Sequence, residues 1–174
     1  MIEARYFDVL RQIHARLKDS PIPWVITGSL GMALQGVDVA VHDIDLQTNA
    51  EGAYAIERCF PEYVVQPVRF SASERIRSHF GALEIGGIRV EIMGDVQKRL
   101  DDKTWEEPVS VERYRRWVEA CGMRLPVLSL EYECQAYLQL GRKDKAEVLK
   151  KWLAEHREEE GFSTGITGNT GNEQ

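Results

Sequence analysis

Two short segments of this sequence carry residues that could bind a phosphate and a metal ion. Asp43 and Asp45 are separated by one residue, so in an extended strand both side chains point to the same face, about 6.5–7 Å apart. Two carboxylates on one face repel each other unless a cation lies between them, and Mg²⁺ is commonly held by one or two carboxylates plus a substrate phosphate. A lone Asp-x-Asp also occurs at solvated strand edges. A third acid near the same place is therefore needed to favour a metal site over a solvated edge.

The second segment is Thr27-Gly28-Ser29, which follows an apolar run at 24–26 and precedes a short predicted helix at 30–35. A junction between a buried strand and a helix gathers unpaired backbone N–H groups and the positive end of the helix at one point, which suits a phosphate. Gly28 has no side chain, so an anion could approach the backbone. Ser29 is a favourable N-cap. An ordinary tight turn with a cap is the alternative.

A third acid is predicted on a β-hairpin further along the chain. Two alternating runs, 79–85 and 88–93, flank a Gly-Gly pair, which is a strong signal for a two-residue hairpin turn. The apolar positions of the second run form the buried face, so Glu91 lies on the other face, opposite Ala82. The alternative is that Glu91 only pairs with Arg89 or another exposed charge.

Together the three segments resemble the nucleotidyltransferase superfamily related to DNA polymerase β, and most closely its minimal, stand-alone bacterial and archaeal members. The motifs cover roughly residues 23–95. The resemblance implies an α+β (α/β) fold, in which a mixed β-sheet is flanked by helices and followed by two C-terminal helices. It also implies that the catalytic residues hold two Mg²⁺ ions and that the glycine-serine turn binds the triphosphate. The implied metal ligands are Asp43, Asp45 and Glu91, and the implied nucleotide-binding residues are Thr27, Gly28 and Ser29.

Hydrophobic periodicity predicts the remaining elements. We expect helices at 3–18, 50–60, 129–140 and 142–156, strands at 63–70 and about 123–125, and a loop or short turn at 71–77. Pro67 indicates that its strand is an edge or carries a bulge. The predicted organisation is a core over 1–128, a packed helical pair over 129–160 and a disordered tail over 161–174.

Basic residues cluster at the turn between the two C-terminal helices. By analogy with the minimal nucleotidyltransferases, where such helices wall the nucleotide cleft, Arg142 and Lys143 are predicted to bind the nucleotide, and Lys145 belongs to the same cluster. The alternative is a solvated cationic helix face.

Composition limits the class of protein. The chain has 174 residues, a formal net charge of −6 and three cysteines. The acidic balance gives no broad electrostatic footprint for nucleic acid, so a large RNA acceptor is disfavoured. The cysteines suggest neither a disulfide framework nor a zinc site. No signal peptide or apolar run of membrane length is evident, so we expect a cytoplasmic protein without membrane association.

The leading hypothesis is a magnesium-dependent enzyme that transfers a nucleoside monophosphate from an NTP to an acceptor and releases pyrophosphate. The sequence identifies neither the acceptor, nor the base of the NTP, nor the oligomeric state. Two alternatives on the same fold are a non-catalytic nucleotide-binding or regulatory protein and a component of a toxin–antitoxin pair.

Overall fold

The structure is a computed structural model that describes the backbone of residues 1–163 and the side chains of residues 1–157. A 3₁₀ turn at Pro61–Tyr63 joins the third helix to the third strand. The helices and strands, in chain order, are α1 (Ala4–Leu17), β1 (Trp24–Thr27), α2 (Gly28–Leu34), β2 (Ile44–Thr48), α3 (Ala50–Cys59), β3 (Val64–Ala72), β4 (Ile76–Ile85), β5 (Ile88–Lys98), α4 (Val111–Tyr114), β6 (Arg115–Ala120), β7 (Met123–Leu128), α5 (Leu130–Gln139) and α6 (Lys143–Ser163).

The strands form one mixed sheet in the order β3-β4-β5-β2-β1-β7-β6. The pairs β2–β5 and β1–β7 are parallel, and the other neighbouring pairs are antiparallel. The predicted mixed sheet with flanking helices is therefore confirmed. Strand β3 lies at one edge, and its register shifts between Gln66 and Arg69, around Pro67, as predicted.

Alternation along the central strands separates an apolar face from a polar one. Ile26, Ile44 and Val90 are fully buried in one core together with side chains of α1 and α3. Because successive side chains of a strand point to opposite faces, Asp45 and Glu91 project from the other side of the sheet. Because the apolar residues of β2 and β5 face the core, the acids that alternate with them lie on the opposite face of the sheet.

The two C-terminal helices cover part of that acidic face. Helices α5 and α6 pack against α2 and the loop after it through a second apolar cluster, formed by Met32, Val37, Leu130, Cys134, Ala146 and Leu149. This packing places α5 and the start of α6 beside the junction of β1 and α2. Residues 164–174 of the predicted tail lie outside the described residues, and the division into a core and a helical pair stays a prediction.

Two local predictions were incomplete. The segment 71–77 is mostly strand, because β3 and β4 extend into it and leave a turn of three residues at 73–75. Strand β6 was not predicted. It pairs with β7 across a tight turn in which Cys121 and Gly122 both have positive φ values, and its polar sequence reflects its place at the open edge of the sheet. None of the helices in the described part of the chain combines the length and apolar composition needed to cross a membrane.

Candidate nucleotide and acceptor site

Strand β1 passes directly into helix α2 at a junction that requires glycine. Gly28 has a φ of 67°, and a Cβ at this position would collide with the carboxylate of Asp45, so both the backbone and the neighbouring side chain exclude a larger residue. The helix begins at Gly28 with Thr27 as its N-cap, so the prediction that Ser29 caps it is wrong. Ser29 Oγ instead accepts a hydrogen bond from the backbone N–H of His42 at 3.5 Å.

The sheet brings the predicted acids into one row. Antiparallel pairing of β1 with β2 sets Thr27 beside Asp45, and parallel pairing of β2 with β5 sets Asp45 beside Glu91. Glu91 lies opposite Ala82, which confirms the predicted hairpin register. Asp43 is half-buried immediately before β2. Residues far apart in sequence thus converge on the turn at Gly28.

Glu91 makes the contact with Arg89 that the sequence analysis left as the alternative to a metal-binding role. Arg89 Nε donates a hydrogen bond to Glu91 Oε1 at 3.0 Å. Parallel pairing of β2 with β5 also sets Glu91 beside Asp45. Its interaction with Asp45 disfavours the charged form of the Asp45 carboxyl group and contributes to a raised pKa of Asp45.

The environment of Asp45 disfavours its charged form. Burial is the largest cause, followed by the negative charge and hydrogen bond of Glu91 and by the negative charge of Asp43; the cation Lys145 acts in the opposite direction. Together they raise the pKa of Asp45 to about 7. A site that concentrates carboxylates in this way is suited to a bound cation.

Helix α5 contributes a fourth acid that the sequence analysis missed. Glu133 is 5% exposed; its Oε1 accepts hydrogen bonds from the Gly28 backbone N–H, at 3.0 Å, and from the Thr27 hydroxyl. Its Oε2 is buried and has no hydrogen-bond partner in the described structure. Burial raises the pKa of Glu133 to about 8; Asp45 contributes to this rise, and the Gly28 bond and Lys145 oppose it.

A signal for this residue is present in the helical pattern. Leu130, Cys134 and Tyr137 define the inward stripe of α5, and Glu133 occupies the i+3 position of that stripe. An acid on an otherwise inward stripe needs a buried partner. The sequence could therefore have drawn attention to Glu133, but not to the turn with which it pairs.

Two cavities meet at the acids, and both are lined by Gly28, Asp45, Tyr137 and Arg142. The first, of about 390 Å³, continues past Glu91, Lys98, Tyr132 and Glu133. The second, of about 470 Å³, continues past Ser29, His42, Asp43 and Lys145. We call them the first and second cavity.

The three basic residues at the turn between α5 and α6 differ in whether they line the two cavities. Arg142 lines both cavities and Lys145 lines the second, whereas Lys143 lies outside the lining of both. Lys145 Nζ also lies 5.5 Å from the ring centre of Tyr137. The structure therefore places Arg142 at both cavities, and it places Lys145, rather than the predicted Lys143, as the second cation near the acids.

Comparisons with known proteins identify the family of this chain and agree with its fold. A family model for aminoglycoside-2''-adenylyltransferases matches residues 9–151. The solved structure of a candidate nucleotidyltransferase from Thermotoga maritima is 62% identical; the match covers 89% of this chain and 96% of the other, with a TM-score of 0.79. Among proteins of curated function, no sequence matches this chain significantly.

Two further structures share the fold at low sequence identity. Lincomycin-bound lincosamide antibiotic adenylyltransferase is 13% identical over 86% of this chain and 97% of its own, with a TM-score of 0.51. ANT(2'')-Ia in complex with adenylyl-2''-tobramycin is 14% identical over 87% of this chain and 91% of its own, with a TM-score of 0.56. On the extent of the family match and the identity to the Thermotoga protein, the chain is a nucleotidyltransferase that belongs to the aminoglycoside-2''-adenylyltransferase family.

Proposed function

We propose that this enzyme transfers AMP from ATP to a hydroxyl group of a small acceptor molecule and releases pyrophosphate. The observation that carries the proposal is the row of Asp45 and Glu91 beside the Gly28 turn, at the boundary between two cavities. A reaction between two substrates needs such a boundary, because each substrate must approach the acids from its own side. Adenylyl transfer is proposed because the family and its fold relatives are adenylyltransferases.

The acids fit the two Mg²⁺ ions that the superfamily resemblance implies. Carboxylate oxygens are the ligands that Mg²⁺ prefers. Burial, and after it the neighbouring acids Glu91 and Asp43, raise the pKa of Asp45, and a cation beside these groups would favour its charged form. Asp43, Asp45 and Glu91 would hold the ions, although within residues 1–157 no three acidic, histidine or cysteine side chains are already grouped as a formed metal site. When bound, such ions stabilise the attacking and leaving oxygens of phosphoryl transfer.

The second cavity suits the triphosphate and the first suits the acceptor. Ser29 and Lys145 supply a hydroxyl and a cation to the second cavity, and both groups bind phosphate oxygens. Glu91 lines only the first cavity. It is therefore the member of the row best placed to receive the proton of the acceptor hydroxyl, as the acceptor oxygen bonds to the α-phosphorus and the bond to pyrophosphate breaks.

The size of the first cavity favours a small acceptor. At about 390 Å³ it lies at the lower end of the range of ligand pockets, roughly 300–1,000 Å³. The structures that share the fold were solved with lincomycin and with adenylyl-2''-tobramycin, so hydroxylated antibiotics are the first acceptors to test.

The experiment is a pyrophosphate-release assay with Mg²⁺, each of ATP, GTP, CTP and UTP, and a panel of hydroxylated small molecules that includes lincomycin and tobramycin. We expect acceptor-dependent release with ATP, none after chelation of the metal, and a product heavier than the acceptor by one AMP group. Tight ATP binding without a product from any acceptor in the panel would instead support the regulatory alternative.

A matched pair of lysine variants tests the assignment of the second cavity. Lys145→Ala is expected to raise the KM for ATP by about tenfold, because it removes a charged phosphate partner. Lys143→Ala, two residues away and outside both cavities, is expected to change that KM by less than about twofold. Steady-state kinetics with the acceptor at saturation measures both values; equal effects of the two variants would contradict the assignment.

A further inference from the structure

Glu133 joins the C-terminal helices to the turn beside the acids. Its Oε1 receives two hydrogen bonds from adjacent residues of one turn, the Thr27 hydroxyl and the Gly28 backbone N–H. Glu133 lies on α5, 105 residues after Gly28 in the sequence, so the contact joins two distant parts of the chain. The bond from Thr27 is buried and the bond from Gly28 is partly buried, so water competes for them less than it would at the surface.

Packing alone does not account for an acid at this position. The neighbouring inward positions of α5 carry Leu130 and Cys134, in an apolar cluster. A buried carboxyl group is unfavourable unless its hydrogen bonds compensate for the loss of water. At Glu133 one oxygen makes two bonds and the other makes none within the described residues. The hydrogen bonds from Thr27 and Gly28 are therefore the polar contacts that compensate for burying this carboxyl group.

The position of the turn matters because it touches the acid row. A Cβ on Gly28 would overlap the Asp45 carboxylate, so a small displacement of the turn changes the space around Asp45. The same turn leads into Ser29, which lines the second cavity. Whatever holds Thr27 and Gly28 in place thus also sets the distance between Ser29 and the acids.

We propose that Glu133 is a positioning residue of the nucleotide site, which holds the Thr27–Gly28 turn against Asp45. The proposal rests on the proposed function, and it reassigns part of the predicted site. The Thr27 hydroxyl and the Gly28 N–H bind Glu133 rather than phosphate, and the contacts with the triphosphate fall to Ser29 and Lys145.

Two substitutions of similar volume separate positioning from packing. Glu133→Gln keeps an oxygen that accepts both bonds, whereas Glu133→Leu fills the space but leaves both donors unpaired. We expect Glu133→Leu to raise the KM for ATP by about tenfold and to change kcat and the acceptor KM by less than about threefold. Glu133→Gln is expected to keep all three values within about threefold of those of the unmodified enzyme.

Hydrogen exchange of the Gly28 amide gives a readout that does not depend on turnover. With Glu133→Leu the exchange of this amide, followed by nuclear magnetic resonance, is expected to accelerate by about tenfold or more, and with Glu133→Gln to change little. If the unmodified enzyme shows no transfer activity, the proposed function fails, while this measurement still decides the role of Glu133. Unchanged protection in the leucine variant would overturn the proposal.

A second variant covers the case in which Glu133→Leu does not fold. Thr27→Val removes one donor and keeps the shape of the side chain; we expect it to raise the KM for ATP by about threefold. In a folded double variant with Glu133→Leu, the valine should add no further effect, because Thr27 acts through Glu133. Additive effects on the KM for ATP would show that Thr27 contacts the nucleotide directly, and would overturn the proposal.

The comparison of Glu133→Gln with Glu133→Leu gives a further decisive outcome. If both variants raised the KM for ATP equally, the charge of Glu133 rather than its hydrogen bonds would be needed, and the proposal would be overturned.

Discussion

Replacing Asp43 and Asp45 together by asparagine is expected to abolish pyrophosphate release while leaving the fold intact. The substitutions remove two of the three proposed metal ligands, both of which line the second cavity with Gly28, and with them the charge that would hold the metal ions. Loss of a single stabilising group in an active site commonly lowers kcat by about 10²–10³, so the double variant should lose on the order of 10³-fold or more. The pyrophosphate-release assay measures the loss.

The control is Asp38→Asn, which changes an exposed acid on the same loop. It is expected to retain full turnover. Thermal unfolding should show that the double variant is folded and, without metal, at least as stable as the unmodified protein, because asparagine at position 45 removes a buried carboxyl group and its repulsion from the neighbouring acids, the two causes that raise the pKa of Asp45. Retained turnover in a folded double variant would rule out the proposed metal site.

The free energy of unfolding of the metal-free protein is expected to fall as the pH rises from about 5 to about 8. Burial raises the pKa of Glu133 from 4.5 to about 8 and that of Asp45 from 3.8 to about 7. Between the unfolded and folded pKa values the folded state binds more protons than the unfolded state, so stability decreases with rising pH. The two groups together should account for a loss on the order of a few kcal/mol.

Urea denaturation in the presence of a chelator, at pH 5, 6, 7 and 8, measures this dependence. The informative quantity is the difference between variants, because contributions that all the proteins share cancel in it. Glu133→Gln and Asp45→Asn should each flatten the curve and stabilise the protein most at pH 8, whereas Glu84→Gln, at an exposed acid, should leave it unchanged. Identical slopes in all four proteins would contradict the assignment of the two raised pKa values.

Short sequence patterns predicted those features of the fold that depend mainly on residues close together in the chain. The alternating runs around a Gly-Gly pair predicted the β4–β5 hairpin and the pairing of Glu91 with Ala82, because the period of two and the turn length set the register. Pro67 predicted the irregular edge strand. Asn49 caps α3 by accepting a hydrogen bond from the Gly52 backbone N–H, in keeping with the preference of asparagine for the N-cap position.

The sequence by itself therefore determined most of the elements, the buried faces of the central strands β2 and β5, and the choice of Asp43, Asp45 and Glu91 as candidate site residues. Only the tertiary structure decided that β2 lies between β1 and β5 and that α5 turns an acid towards Gly28. It also decided that Lys145, rather than Lys143, faces the second cavity. The physical reason is that hydrophobic periodicity reports whether a residue points inward, whereas the partner it meets there depends on how elements distant in sequence pack together.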